Sequence, residues 1–191
     1  MGLLRIDRKQ DKRVAYAFTH KLADIPGGVT VSAKELTQKV LREGTPVGKG
    51  ENGLYHVVKV AILHKKEAST PTAYQVEQGH NFKTGDIVML GKNAKGYAIT
   101  SIVPGDGYDT INVGTTLGNG EKGAAIYEAD KTAASGVSFK YKPVALVGES
   151  YDVEALSNHV VNAWTIGQVK EANIQPVGEE VKAALTGIQF I

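Results

Sequence analysis

The chain has 191 residues, of which 42% are hydrophobic and 22% are charged, and its formal net charge is +2. These values are typical of one folded domain, or of one domain with an arm, and they exclude a disordered chain. The small net charge predicts no general affinity for nucleic acid or membranes, and the absence of cysteine excludes disulfides and thiolate-based sites. No run approaches the ~20 apolar residues of a membrane-spanning helix.

Residues 1–28 are predicted to form an N-terminal arm. Residues 1–13 mix basic and acidic side chains, which indicates either a solvated terminus or an arm that docks on a partner. Residues 14–19 alternate in bulk and predict a strand or an extended segment, which the Ile-Pro-Gly-Gly sequence at 25–28 ends. The alternative is that residues 14–19 form the first strand of the folded body.

A capping box follows the arm. Ser32 stands three residues before Glu35, so that each side chain could satisfy a free backbone N–H of a first helical turn. We therefore expect a short helix at 33–42. The competing interpretation is a strand through residues 29–31 that continues past Ser32.

Three glycines have the spacing of a dinucleotide-binding loop, namely Gly48, Gly50 and Gly53. Such a loop must open a helix, whose N-terminus holds the pyrophosphate. Here the glycines precede residues 54–63, a run rich in β-branched side chains that predicts one long strand. We therefore do not interpret them as a cofactor site.

Residues 78–118 contain three short strands, separated by turns rich in Gly, Pro, Asn and Asp. This spacing is typical of a small antiparallel barrel or sandwich. The three strands are predicted at 87–90, 97–103 and 108–113; other strands are predicted at 72–76, 124–128, 137–141 and 159–167, a short helix at 178–185 and a strand-like end at 188–191. We therefore expect a mainly β fold, a small antiparallel barrel or sandwich with one or two short helices and an extended N-terminal arm.

The predicted domain organisation is an arm at 1–28 and a single β-rich domain at 29–191, whose barrel-like centre lies at about 54–145. Within it, residues 137–141 alternate strictly between apolar and polar side chains, so this strand is expected to be half-buried.

The polar residues predict no catalytic, cofactor or metal site. The five histidines have no metal-binding spacing; they are His20, His56, His64, His80 and His159. Asp106 and Asp109 fit a hairpin turn better than a calcium loop. Asp86 is interpreted as a turn residue, and Glu121, Glu128 and Asp130 as solvated surface acids.

The order of several motifs resembles a family of tailed-bacteriophage head proteins, which comprises head fiber, capsid decoration and auxiliary capsid proteins. The motifs lie at 77–88, 98–102, 110–118, 142–147, 161–164 and 174–191. The resemblance covers roughly residues 42–191. Each motif alone is a turn-and-strand pattern, so their succession along the chain carries the similarity.

This resemblance implies a structural virion protein with no catalytic residues and no cofactor. Such a protein would be made in the host cytoplasm, would decorate the outer surface of the capsid and would bind the major capsid protein. It would stabilise the head or anchor a head fiber, and it would form a homo-oligomer, for which a trimer is one candidate. We expect the arm to make the capsid contact by adding a strand to a neighbouring sheet. The candidate contact residues are Arg5, Arg8, Arg13, Tyr16, Phe18, Ile25 and Pro26.

Two other functions stay open from the sequence. The first is a carbohydrate- or receptor-binding module of the virion, which exposed rings among Tyr55, Tyr74, Tyr97, Tyr108 and Tyr127 would favour. The second is a capsid-associated hydrolase, which would require a histidine and a carboxylate clustered in one pocket.

Overall fold

The computed structural model describes residues 16–68, 71–92, 94–154 and 157–191. In chain order the strands are β1 (Phe18–Asp24), β2 (Val29–Val31), β3 (Val40–Leu41), β4 (Pro46–Lys49), β5 (Tyr55–Val57), β6 (Val60–Ile62), β7 (Ala73–Glu77), β8 (Ile87–Leu90), β9 (Gly96–Pro104), β10 (Tyr108–Val113), β11 (Ala125–Glu128), β12 (Pro143–Val147), β13 (Tyr151–Asp152), β14 (His159–Val161), β15 (Ala163–Val169) and β16 (Ile188–Phe190). One α-helix, α1 (Glu179–Ala184), precedes β16, and short 3-10 turns lie at Glu51–Gly53 and Glu171–Asn173. The predicted mainly β fold class is confirmed.

The first sheet has the strand order β1-β15-β12-β4-β5-β2-β14, with β16 parallel to β15. This sheet curls because each of its end strands, β1 and β14, continues through a short bend into another strand of the same sheet, β2 and β15 respectively. β1 and β2 are separated by residues 25–28, β14 and β15 by Asn162 alone, and the two bent pairs run antiparallel. The N–H of Ile25 donates to the carbonyl of Ala163 at 2.9 Å across the bend. Its interior is apolar: Val29, Val31, Leu41, Val47, Val57, Ala145, Val147, Val161 and Ala163.

The second sheet has the order β6-β11-β8-β9-β10-β7. Leu63, just after β6, bridges Val76 in β7, and the N–H of His64 donates to the carbonyl of Gln75 at 2.8 Å. These contacts join the first and last strands, so this sheet also curls into a small barrel. It encloses the buried residues Ala61, Leu63, Tyr74, Val76, Phe82, Val88, Ile99, Ile111, Val113, Leu117 and Ile126.

A third apolar cluster joins the two sheets. Leu146 and Val169 come from the first sheet, Met89 and Tyr127 from the second, and Val181 from α1. The helix begins after Gly178, whose φ of +72° suits glycine, and the hydroxyl of Tyr127 donates to the carboxylate of Glu180 in its first turn. Each barrel therefore has its own apolar interior, and the two share this third cluster between them.

The predicted helix at 33–42 is wrong. The chain passes through turns there and then forms β3. The N–H of Ser32 donates to the carbonyl of Tyr55 at 2.9 Å, which binds the would-be cap residue to the first sheet. The carboxylate of Glu35 accepts hydrogen bonds from His56 and Tyr141 instead of capping a turn.

The single strand predicted at 54–63 is two strands in different sheets. β5 belongs to the first sheet and β6 to the second, and the chain crosses between them at Val58 and Lys59. Both crossing residues are buried. The hydrophobic pattern of residues 54–63 therefore does not indicate the change of sheet, because β5 and β6 each need apolar side chains whether they lie in one sheet or in two.

The strand predicted at 137–141 shows the expected alternation of burial, but it makes only one bridge in the described chain, from Phe139 to Ala129. β12 begins at Pro143, shortly after this segment. The strands of residues 78–118, the helix near 178–185 and the strand-like end at 188–191 are confirmed.

Candidate functional site

The predicted contact residues fall into different environments. Arg5, Arg8 and Arg13 lie outside the described residues. Tyr16 is 74% exposed, whereas Phe18 is only 8% exposed and belongs to the shared core. Ile25 packs against the interior of the first barrel, and Pro26 is exposed in the turn after β1. The ring of Phe18 therefore stabilises the body rather than facing outward.

β1 is firmly attached on its inner side. Its residues pair with β15, and the ammonium group of Lys21 donates to the carbonyl of Gly148 at 2.7 Å. The N–H of Ala17 donates to the carboxylate of Glu43 at 2.9 Å. Residues 18–24 are thus a strand of the body, which favours the alternative that the sequence left open for residues 14–19.

The outer side of β1 has no partner strand in the described chain. Leu22 on this strand is 73% exposed. We call residues 16–24 the β1 edge. An unpaired strand with an exposed apolar side chain is a template for pairing with another chain, so this edge is a candidate interaction surface.

The tyrosines do not form an exposed aromatic surface. Tyr74 and Tyr127 are fully buried. The other three tyrosines considered above, Tyr55, Tyr97 and Tyr108, are half-buried. This placement counts against a binding module that stacks sugars on those rings.

A buried ion pair lies where the chain crosses between the sheets. The side chain of Lys59 is only 2% exposed, and its Nζ lies 2.8 Å from Oδ2 of Asp86 and 3.2 Å from Oε1 of Glu128. Glu128, on β11, is 3% exposed. Both carboxylates come from the second barrel. They compensate the charge of Lys59, which would otherwise be very unfavourable in this apolar surrounding.

The same charges continue to the surface of the first barrel. Nζ of Lys140 lies 2.8 Å from Oε1 of Glu128 and 3.7 Å from Oε1 of Glu35. Burial is the largest single influence on the pKa of Lys140 and acts to lower it, but the hydrogen bond to Glu128 and the negative charges of Glu128 and Glu35 together outweigh burial, so the net shift is upward. We call this series, from Asp86 through Lys59, Glu128 and Lys140 to Glu35, the ionic chain.

The ionic chain ends at two stacked rings. Glu35 accepts hydrogen bonds from Nδ1 of His56 and from the hydroxyl of Tyr141, each at 3.0 Å. The rings of His56 and Tyr141 stack with centroids 4.1 Å apart and an angle of 5° between their planes. Burial and the charge of Glu35 raise the pKa of Tyr141 to about 12, so its hydroxyl stays protonated and donates.

Two of the glycines singled out in the sequence allow close approaches beside these residues. A Cβ on Gly50 would lie 2.4 Å from Cδ2 of the His56 ring, and a Cβ on Gly48 would lie 2.5 Å from the carbonyl oxygen of Lys142 and 2.9 Å from Cβ of Tyr141. Gly53 ends the 3-10 turn at a φ of +76°. The G-x-G-x-x-G spacing therefore has a packing cause, in agreement with the rejection of a cofactor loop.

An open cleft of about 730 Å³ lies over the stacked pair. We call it the His56 cleft. It is lined by Ser32, Lys34, Lys49, Gly50, Glu51, Leu54, His56, Lys140, Tyr141 and Asn158. Since Nδ1 of His56 donates to Glu35, Nε2 is the ring nitrogen left for a ligand.

The hydrolase alternative required a histidine and a carboxylate in one pocket, and His56 with Glu35 meets that condition. Across the described ranges, however, no hydroxyl is hydrogen-bonded to Nε2 of His56. A base oriented by a carboxylate activates a nucleophile only when the nucleophile is within reach. Among the described residues, the pair therefore has a histidine and its orienting carboxylate but no nucleophile hydrogen-bonded to the histidine.

A second histidine–carboxylate pair is buried at the seam of the barrels. The side chain of His80 is 6% exposed, and its Nε2 lies 3.4 Å from Oδ2 of Asp109. The N–H of Phe82 donates to Nδ1 at 3.2 Å. Burial lowers the pKa of His80 despite the opposing charge of Asp109.

Comparisons with known proteins give no relative for this chain: it matches no protein-family model, no curated protein and no solved structure. Across the described ranges, His, Asp and Glu side chains form no group of three or more that could hold a metal ion. None of the helices in the described part of the chain has the length and apolar character needed to cross a membrane.

The sequence did not reveal the ionic chain. Glu128 was predicted to be a solvated acid and Asp86 a turn residue, yet both compensate Lys59. The available signal was Lys59 itself, a charge in the middle of an otherwise β-branched, apolar run. A lysine at such a position must find carboxylate partners if the run is buried.

The Lys59→Met variant should be destabilised by about 3–5 kcal/mol, because it leaves Glu128 and Asp86 without their buried counter-charge. Urea denaturation measures this loss. Lys66→Met is the matched control, since Lys66 pairs with Glu121 at 2.7 Å on an exposed surface and should lose about 1 kcal/mol or less. Lys59→Met combined with Glu128→Gln should be less destabilised than Lys59→Met alone. Equal losses in the Lys59 and Lys66 variants would contradict the assignment.

His80 should make the protein less stable in mild acid. The unfolded chain binds a proton at His80 below its ordinary pKa of 6.5, whereas burial lowers the pKa in the folded state. The stabilisation is therefore complete above pH 6.5 and is lost as the pH falls towards the folded pKa. The free energy of unfolding should decline more steeply from pH 7 to about pH 5 in the wild type than in His80→Gln. If the free energy of unfolding depends on pH in the same way in both proteins, His80 does not contribute to the loss of stability in acid.

Proposed function

We propose that this protein is a structural component of a tailed-bacteriophage virion, which decorates the outer surface of the capsid and binds the major capsid protein. In this role it stabilises the head or anchors a head fiber, and it has no catalytic activity. It is made in the host cytoplasm and acts as a homo-oligomer. The order of the motifs at 77–118 and 142–191 supports this assignment at the level of resemblance.

The observation that carries the proposal is the β1 edge. The strand is fixed to the body on one side and unpaired on the other among the described residues. An extended segment of a partner can add to such an edge through backbone hydrogen bonds, while side chains on alternate positions provide specificity. Tyr16 and Leu22 are the exposed large side chains available for that purpose.

The basic residues before β1 are close to this edge in the sequence. Arg5, Arg8 and Arg13 all precede Tyr16, the first residue of the β1 edge. Positive side chains at the rim of an interface raise the association rate towards an acidic partner surface more than they raise affinity. We therefore assign the apolar contact to the β1 edge and the steering to residues 1–15.

The energetics suit a decoration protein present in many copies. Burying a side chain such as Leu22 contributes about 1.5–3 kcal/mol before the costs of association. A few such contacts give modest affinity for one copy. Oligomerisation on a repeating lattice multiplies the effect, because binding of the second site becomes intramolecular.

The test is co-sedimentation of the purified protein with capsids that lack it. The wild type should bind saturably, and Leu22→Asp should weaken binding at least about tenfold because a carboxylate would have to be buried in place of an apolar side chain. Val103→Asp is the matched control, since Val103 is 53% exposed on β9 of the second barrel. It should bind like the wild type.

A truncated form without residues 1–15 separates the steering from the contact. This cut leaves β1 intact, whereas removal of residues 1–28 would delete a strand of the first barrel. The truncated form should bind more slowly and with a smaller salt dependence. Failure of the wild type to bind saturably would contradict the proposal, and equal weakening by Leu22→Asp and Val103→Asp would exclude the β1 edge as the contact.

A further inference from the structure

We propose that the His56 cleft binds a small polar ligand that carries a carboxylate or phosphate group, with a sugar acid or sugar phosphate as the ligand class. The proposal does not depend on capsid binding, because its residues are not those of the β1 edge. It rests on the shape of the cleft, the balance of charge around it and the rigidity of its floor.

The cleft has the size of a ligand site. Its volume of about 730 Å³ lies within the range of small-molecule pockets. Its lining is mixed, with polar groups from Ser32, Asn158, His56 and Tyr141 beside the apolar side chain of Leu54. Such a lining suits a ligand with several hydroxyl groups rather than an apolar molecule.

The lysine side chains that line the cleft favour an anionic ligand. Lys34 and Lys49 line it, and neither forms an ion pair within the described chain. Glu51 is the one acidic residue in the lining. Glu35, which lies beneath the rings, already accepts from both His56 and Tyr141, and Lys140 is matched by Glu128. Lys34 and Lys49 are thus the lysines of the lining that have no carboxylate partner in the described chain, and an anionic group placed between them would pair with both.

The floor of the cleft is held in one geometry before any ligand arrives. His56 is hydrogen-bonded at Nδ1, stacked on Tyr141 and packed against Gly50. Lys140 lies 5.3 Å from the centroid of the Tyr141 ring. Groups that are already fixed lose little freedom on binding. Nε2 of His56 is thus a preorganised hydrogen-bonding group between flexible lysines.

The arrangement assigns roles to these residues. Lys34 and Lys49 neutralise the anionic group of the ligand, and Nε2 of His56 hydrogen-bonds to a hydroxyl or to the anion itself. Asn158 offers an amide at the rim. No covalent step is involved, so the site is one of binding.

The test is an NMR titration of the ¹⁵N-labelled full chain at constant ionic strength. The three probes are glucuronate, glucose 6-phosphate and glucose. Saturable shifts should appear at Lys49, Gly50 and His56 with at least one of the anionic sugars and not with neutral glucose. Comparison of the two anionic probes distinguishes a carboxylate ligand from a phosphate ligand.

Variants identify the groups that bind. Lys34→Ala and Lys49→Ala should each weaken the affinity about two- to fivefold, while Lys49→Arg keeps the charge and should keep most of the affinity. Lys122→Ala removes a lysine that does not line the cleft and is the matched control; it should bind like the wild type. All four variants change exposed side chains, so their folding is checked by comparing spectra without ligand.

Three results would overturn the proposal: no saturable shift with either anionic sugar, equal affinity for glucose, or unchanged affinity in the Lys34 and Lys49 variants. Shifts confined to residues outside the cleft would also overturn it, since they would place the binding elsewhere.

Discussion

The burial of Lys59 is the constraint on which the arrangement of the two barrels depends. Lys59 lies between β5 of the first sheet and β6 of the second, where the chain crosses from one to the other. An unpaired ammonium group would be very costly at this depth. Asp86 and Glu128 supply the compensating charge, and both belong to the second barrel. The charge of Lys59 is therefore compensated only when the second barrel is folded around the crossing.

The ionic chain carries this constraint to the surface. Lys140 and Glu35 extend it from the buried pair to the rings of His56 and Tyr141. The same contacts that hold the crossing thus fix the floor of the His56 cleft. At one end of the first sheet, the outer edge of β1 is unpaired among the described residues. In the proposed structural role, the body between the exposed strand and the polar cleft binds its partners without changing shape.

The sequence predicted the strands best where the turns are local. The bounds of β8 and β10 follow from the turns at Gly85 and Gly107, both of which have a positive φ. Local rules failed where a side chain had a distant partner. Glu35 resembles a helix cap, but its hydrogen-bond partner Tyr141 lies 106 residues away. A sequence pattern that spans only a few residues, such as a capping box, could not have indicated that contact.

The candidate sites were predictable only in part. The composition of the N-terminal segment led to the prediction that it contacts a partner, and that stays a prediction, whereas the burial of Phe18 required the pairing of β1 with β15. The spacing of Gly48 and Gly50 was visible in the sequence, but its cause was not. Gly50 accommodates the ring of His56 from β5, and Gly48 accommodates the backbone of residues 141 and 142. Such close approaches are properties of the folded chain alone.

Native-state hydrogen exchange tests most directly whether the two barrels form one cooperative body. The N–H of Val147 donates to Thr45 in the first barrel, and the N–H of Ile99 donates to Asp86 in the second. If the buried charges of Lys59 couple the barrels, both amides should exchange with the same free energy and the same dependence on denaturant. Exchange of Ile99 through a smaller opening, while Val147 stays protected, would show that the second barrel unfolds alone and would contradict the account.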